Sequence, residues 1–121
     1  MLLTVDYNKL IAGKEGAIDA ITKSMNQFST EIELQITATK TLTGLAFGIE
    51  YNKVLITARG LNTIINNTNN FRKNPELLII NLGCLANLTS ADDTNKRTIV
   101  NSNIIGIILS VIKGNGDKVC G

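Results

Sequence analysis

Asn74-Pro-Glu-Leu-Leu-Ile-Ile-Asn-Leu-Gly-Cys-Leu-Ala-Asn-Leu-Thr89 is the stretch whose reading decides the fold. Asn74 is a good N-cap, because its side-chain oxygen can accept from an amide of the first turn. Pro75 fits the first helical position, where no amide hydrogen bond is needed. Apolar residues then occur on almost every side, so the helix is expected to be covered over most of its surface. A β-strand reading of Leu78-Ile79-Ile80 competes, but this cluster lies inside a longer helical pattern with a helix start in front of it.

The same stretch is one copy of a repeated unit. Asn-Lys occurs at 8–9, 52–53 and 95–96, spacings of 44 and 43 residues. Ile18, Leu61 and Ile104 are separated by 43 and 43, as are Ile21, Ile64 and Ile107. Phe28 and Phe71, Glu33 and Glu76, Leu42 and Leu85, and Leu45 and Leu88 are also 43 apart. One extra residue between Asn8 and Ile18 is the only break in the period. Self-similarity at this spacing is the mark of a solenoid, in which each unit buries its apolar face against the next.

Each unit divides into three helical pieces. The first is short, Tyr51 to Ala58 in the middle copy, and a glycine near its end (Gly16, Gly60) is expected to turn the chain sharply into the second. The second carries an amphipathic stripe: Leu61, Ile64, Ile65 and Thr68, then Ile104, Ile107, Ile108 and Val111. The third and longest starts at Asn74 or, one copy earlier, at Thr30, with Glu33 completing a capping box. The repeated aromatics, Tyr7 with Tyr51 and Phe28 with Phe71, are expected to be core residues. Cys84 is expected to be a small core residue inside the run Leu82 to Leu88.

Composition limits the function classes. The chain has 121 residues, enough for one domain, and is 44% hydrophobic, 4% aromatic and 18% charged. That suits an aliphatic core and argues against disorder. A formal net charge of +2, with no run of four basic residues, gives no electrostatic footprint for nucleic acid. There is no histidine, and Cys84 and Cys120 form no CxxC pair, so a mixed Cys/His zinc site is ruled out. No cofactor or metal is expected. No apolar run reaches the roughly 18 residues of a membrane span, so membrane insertion is not expected either. Reduced thiols and the absence of a secretory signal pattern suit a cytoplasmic protein, with the nucleus left open. Gly114-Asn-Gly116 punctuates a loop and lacks the Gly-Lys-Ser/Thr ending of a phosphate loop. An enzyme is not expected, because the acidic residues lie at helix starts and no Ser or Cys has an activating partner at motif spacing.

Three helices per ~43 residues place the chain in the armadillo/HEAT class. Gly83-Cys-Leu-Ala-Asn-Leu-Thr89, followed by Asn95-Lys96 and Ile104 to Ile108, resembles the armadillo repeat. The resemblance is closest to armadillo scaffolds of the vacuolar and cytoplasmic type, whose third helix also reads Gly-x-Leu-x-Asn-Leu-Thr. HEAT repeats are the near alternative, but their internal proline-and-arginine arrangement is missing. The resemblance implies an all-α, right-handed α-solenoid of armadillo-type repeats, with partial repeats at both ends. The expected frame is 1–15 for the end of one repeat, 16–59 and 60–102 for two repeats, and 103–121 for the start of the next. Residues 116–121 are then the beginning of a further third helix. A chain that starts and stops inside a repeat is expected to continue a longer array or to pair with another copy through its open ends.

The resemblance also implies a partner: a protein or extended peptide lying along the concave surface made by the third helices. Asn87 falls where the family holds a ligand backbone with Asn, and its amide can donate and accept at once. It reads equally as an Asn hydrogen-bonded for structure. Gly83 falls at the family's Trp position, and one copy earlier Lys40 and Gly44 stand where Trp and Asn would be. With no Trp in the chain, recognition of basic nuclear-localisation signals of the importin-alpha kind is not supported. Ile80, and Thr37 at the same place in the preceding copy, complete the expected face. Lys40 reads as a solvated lysine or, lining a groove, as a contact for an acidic or phosphorylated partner. The second function considered is a structural subunit packing through its open ends. A groove binder should lose affinity on Asn87→Ala, whereas a structural subunit should fail when Met1–Val5 or Val119–Cys120 are made polar.

Overall fold

The structure is a computed structural model that describes residues 2–120, with side chains described from 5 to 114. Among the described residues there are seven α-helices and no strand: α1 (Leu2–Lys14), α2 (Ala17–Gln27), α3 (Ile32–Ala46), α4 (Glu50–Asn70), α5 (Pro75–Thr89), α6 (Asp93–Val100) and α7 (Ile104–Cys120). The all-α class read from the sequence holds. None of these helices is long and apolar enough to cross a membrane.

Helices at equivalent places in the 43-residue period lie against one another. α3 packs along α5, α2 along α4, and α4 along α7. α4 is the hub, since it touches each of the other six helices. The core runs through equivalent aliphatic positions: Ile18, Leu61 and Ile104 are buried, as are Leu42 and Leu85, and Leu88 is fully enclosed. Each such side chain contributes about 2 kcal/mol by leaving water. Three threonines on the buried faces bond back to their own helix, Thr22 to Ile18 O, Thr57 to Lys53 O and Thr68 to Ile64 O. These bonds use the hydroxyl protons within the helix, and the Thr68 oxygen also accepts from Asn81 Nδ2 of α5 at 3.1 Å.

The helix starts are partly as expected. Asn74 caps α5 by accepting from the Leu77 amide at 3.0 Å, with Pro75 in the first turn. The capping box at Thr30 does not form: the N-cap of α3 is Glu31, and no side chain closes it. Glu31 is the residue 43 before Asn74, so the period places this cap more accurately than residue type does.

Gly60 is a correction. It does not turn the chain, because α4 runs unbroken from Glu50 to Asn70, and the expected boundary between residues 59 and 60 falls inside it. Its equivalents do break the helix: Gly16 has φ +93° and Asn103 φ +67°. The difference lies in the buried positions. Gly60 is itself buried, in line with Asn52, Ile56 and Ile64 in steps of four, whereas Gly16 is half-buried and Asn103 exposed. That even spacing keeps one face of a continuous helix buried. Gly60 serves a close approach instead, since a Cβ there would lie 3.2 Å from the Thr22 methyl group of α2.

The repeated aromatics are also a correction. Tyr7, Tyr51 and Phe28 are exposed and Phe71 is half-buried, so they do not form the core. Phe28 and Phe71 are the C-caps of α2 and α4, with nearly identical backbone angles (φ −115°, ψ 50° and φ −119°, ψ 43°). Their amides donate to Ser24 O and Asn67 O, and their carbonyls accept from Glu31 and Asn74, all at 3.0 Å. The phenylalanines recur because a backbone corner recurs.

α7 continues as one helix to Cys120, so neither the loop at Gly114-Asn-Gly116 nor a new helix beginning at Gly116 is present. The side chains of Met1 to Thr4, Val119 and Cys120, and Gly121 itself, lie outside the described residues.

Candidate partner-binding face

α3 and α5, the two complete third helices, are side by side and bring the expected face together. Thr37, Lys40 and Gly44 are exposed on α3, and on α5 Gly83 is exposed while Ile80 and Asn87 are half-buried. Between the helices is a hollow of about 280 Å³ lined by Lys40, Thr43, Ile80, Gly83 and Cys84. Gly83 leaves it open on the α5 side, since a Cβ built there would meet nothing within 4 Å. Lys40, Ile80 and Gly83 therefore share one site. Thr37 instead lines a separate apolar hollow of about 290 Å³ between α2 and α3, with Ile21, Leu34 and Thr41 among its walls.

Asn87 has a structural bond. Its Nδ2 donates to the Thr43 carbonyl at 3.3 Å, tying α5 to the last turn of α3. This uses one of the amide's two N–H groups and leaves the acceptor oxygen uncommitted to that bond. Two wall residues of the hollow are not among the face residues expected from the sequence: Thr43, and Cys84, expected instead as a core residue and buried as such. Only helix pairing in three dimensions brings them there. Ile79, at 68% exposure, is a further apolar residue left open on α5.

The thiol of Cys84 is fully buried, and burial raises its pKa above the ordinary value. A hydrogen bond with the Thr43 side chain opposes that shift. The group is thus a neutral, weakly polar floor for the hollow. Among the described residues no three His, Cys, Asp or Glu side chains cluster as metal ligands. Several bases are occupied elsewhere: Arg59 pairs with Asp19 at 3.0 Å, Lys53 donates to Ser90 Oγ at 2.8 Å, and Lys9 donates to Phe47 O at 3.3 Å. Lys40 stands on the rim of the hollow.

No family model matches the chain, and no curated protein or solved structure matches it.

Proposed function

We propose that this chain is a segment of a right-handed, armadillo-type α-solenoid that works as a protein–protein interaction module in the cytoplasm. A partner protein or extended peptide lies along the α3–α5 face, and no chemistry is performed on it. The observation that carries this reading is the hollow between two repeat-equivalent helices, where Lys40, Ile80 and Gly83 meet. Lys40 at the rim favours an acidic side chain, and the apolar floor favours an aliphatic neighbour beside it. Asn87 supplies the remaining donor and acceptor capacity for a ligand backbone.

The test uses a capped peptide of alternating aspartate and leucine, titrated into 15N-labelled protein. The amide signals of Gly44 and Gly83 should shift, Lys40→Glu should abolish the shifts, and Asn87→Ala should weaken binding. Unchanged signals at Gly44 and Gly83 count against the reading.

A second reading, assembly through the ends of the helical stack, is favoured by one feature. Ile105, Leu109 and Ile112 form an exposed apolar stripe on α7 at 48%, 61% and 45% exposure. Concentration-dependent association that Leu109→Lys prevents, with no response at Gly44 and Gly83, would favour this second reading.

A further inference from the structure

A cleft of about 540 Å³ lies between α2 and α4 and shares no lining residue with the α3–α5 hollow. Five of its eight lining residues are asparagines, and none is charged or aromatic. Asn62, Asn66 and Asn70 follow one another every four residues along α4, which puts them on one face of the helix. Asn26 is held across the cleft, where its Oδ1 accepts from Thr63 Oγ1 at 3.0 Å. That bond fixes the acceptor end of the amide and leaves the donor end for another partner. Asn67, only 2% exposed, has a buried Nδ2 with no hydrogen-bond partner. An unmet buried donor carries a real cost, and it points to an acceptor supplied from outside the chain.

We propose that this cleft binds an extended, uncharged stretch of polypeptide through its main chain. Each asparagine amide presents a donor and an acceptor side by side, the complement of a peptide N–H and C=O. Four residues of helix rise about 6.0 Å, and two residues of extended strand span roughly 6.6 Å. Asn62, Asn66 and Asn70 therefore match every second residue of a strand laid along α4, with a drift of about 1 Å over the three. Asn67 gains its missing acceptor from a strand carbonyl. Single-stranded nucleic acid is a poor fit, because the cleft offers neither cations for phosphates nor aromatic platforms for bases. A carbohydrate would likewise find no aromatic ring to lie against. The equivalent positions on α7 are Ile105, Leu109 and Lys113, so the amide ladder belongs to α4 alone and does not follow from the repeat.

Recognition of the main chain is indifferent to side chains, which gives the test. The probe is an acetylated, amidated octapeptide of alternating threonine and serine, titrated to millimolar concentration. The side-chain NH₂ signals of Asn62, Asn66 and Asn67 should shift and saturate while the amides of Gly44 and Gly83 stay in place. N-methylation of every residue of the probe, which blocks both edges of the strand, should abolish the shifts. Asn66→Ala, at an exposed position where the fold is not at risk, should weaken binding roughly tenfold. Three results overturn the proposal: no shift at all, meaning a cleft that holds only water; equal binding of the N-methylated probe; or shifts with maltohexaose in place of the peptide.

Discussion

Asn95 Nδ2 donates to the Leu88 carbonyl at 2.7 Å, reaching back seven residues across the corner between α5 and α6. Asn52 makes the same reach to Leu45 at 2.9 Å one unit earlier, and it also donates to the Lys9 carbonyl of α1 at 2.9 Å. The Asn of the repeated Asn-Lys pair is thus a corner brace that gives a carbonyl in the last turn of a helix a strong side-chain donor. Replacing either residue with leucine removes the donor and leaves the Leu88 carbonyl with only the Ala91 amide at 3.3 Å, or unties Leu45 and Lys9 from α4. Asn95→Leu should cost about 1 to 3 kcal/mol in urea unfolding. Asn52→Leu should cost more, because Asn52 is fully buried and braces two helices. Asn8, the third member of the set, is exposed, and Asn8→Leu should stay within about 0.5 kcal/mol of the parent.

Gly13 is the residue that lets Asn52 reach Lys9. A Cβ on Gly13 would overlap the Asn52 side-chain oxygen and amide carbon. Gly13→Ala should therefore push α1 away from α4 and break the Asn52 to Lys9 bond. The expected loss is about 2 kcal/mol or more, despite the better helix propensity of alanine. Gly83→Ala provides the contrast. Its Cβ would enter open space within a helix, so it should stabilise by about 0.5 to 1 kcal/mol while narrowing the α3–α5 hollow. Thermal unfolding of the two variants should move in opposite directions.

The period was legible because stacked equivalent helices demand the same aliphatic residue at the same place, as Ile18, Leu61 and Ile104 show. The helix break at Gly60 was misread because glycine serves two unrelated needs. At Gly16 it allows positive φ, and at Gly60 it allows contact with Thr22. Only the burial of the glycine itself separates these cases, and burial is a property of the folded chain. Phe28 and Phe71 misled for a related reason, since repetition marks an equivalent environment and not an interior one. On the candidate face, Lys40, Ile80 and Gly83 could be placed together from the helix register. The donation from Asn87 to Thr43 could not, because it depends on how far α3 stands from α5.

Cys84 allows a test of the hollow's floor. Burial raises its pKa above the value it has in the unfolded chain, so the thiol keeps its proton in the fold where the unfolded chain would lose it. Its contribution to stability is fully present below the unfolded pKa and is lost as pH rises from there through the folded pKa. In a Cys120→Ala background, stability should begin to fall above about pH 8.5. The additional change Cys84→Ala should remove that part of the alkaline loss. At neutral pH the same background should react with a thiol reagent only as fast as it unfolds, which a denaturant series will show.

Gln35 offers a pH-dependent test of the corner between α2 and α3. Its Nε2 donates to Met25 O at 3.1 Å and to Phe28 O at 2.9 Å, while its Oε1 is buried with no partner. The equivalent residue one unit later is Leu78, so an apolar side chain is compatible with the same backbone corner. Gln35→Leu should lose the two bonds but also remove the orphan oxygen, for a net cost of about 1 to 2 kcal/mol. Gln35→Glu keeps the shape and replaces the donor with a carboxylate facing two carbonyl oxygens. Burial and those oxygens both favour the protonated form, so the new carboxyl should titrate above its unfolded value. The stability of Gln35→Glu should then be highest below the unfolded carboxyl pKa of about 4.3, and it should decline as pH rises through the folded value. At pH 7 this variant should fall below Gln35→Leu, because an unpaired buried charge costs more than an absent hydrogen bond. Urea midpoints for the two variants at pH 4 and pH 7 decide the point. Parallel pH profiles would mean that Gln35 does not hold the corner carbonyls.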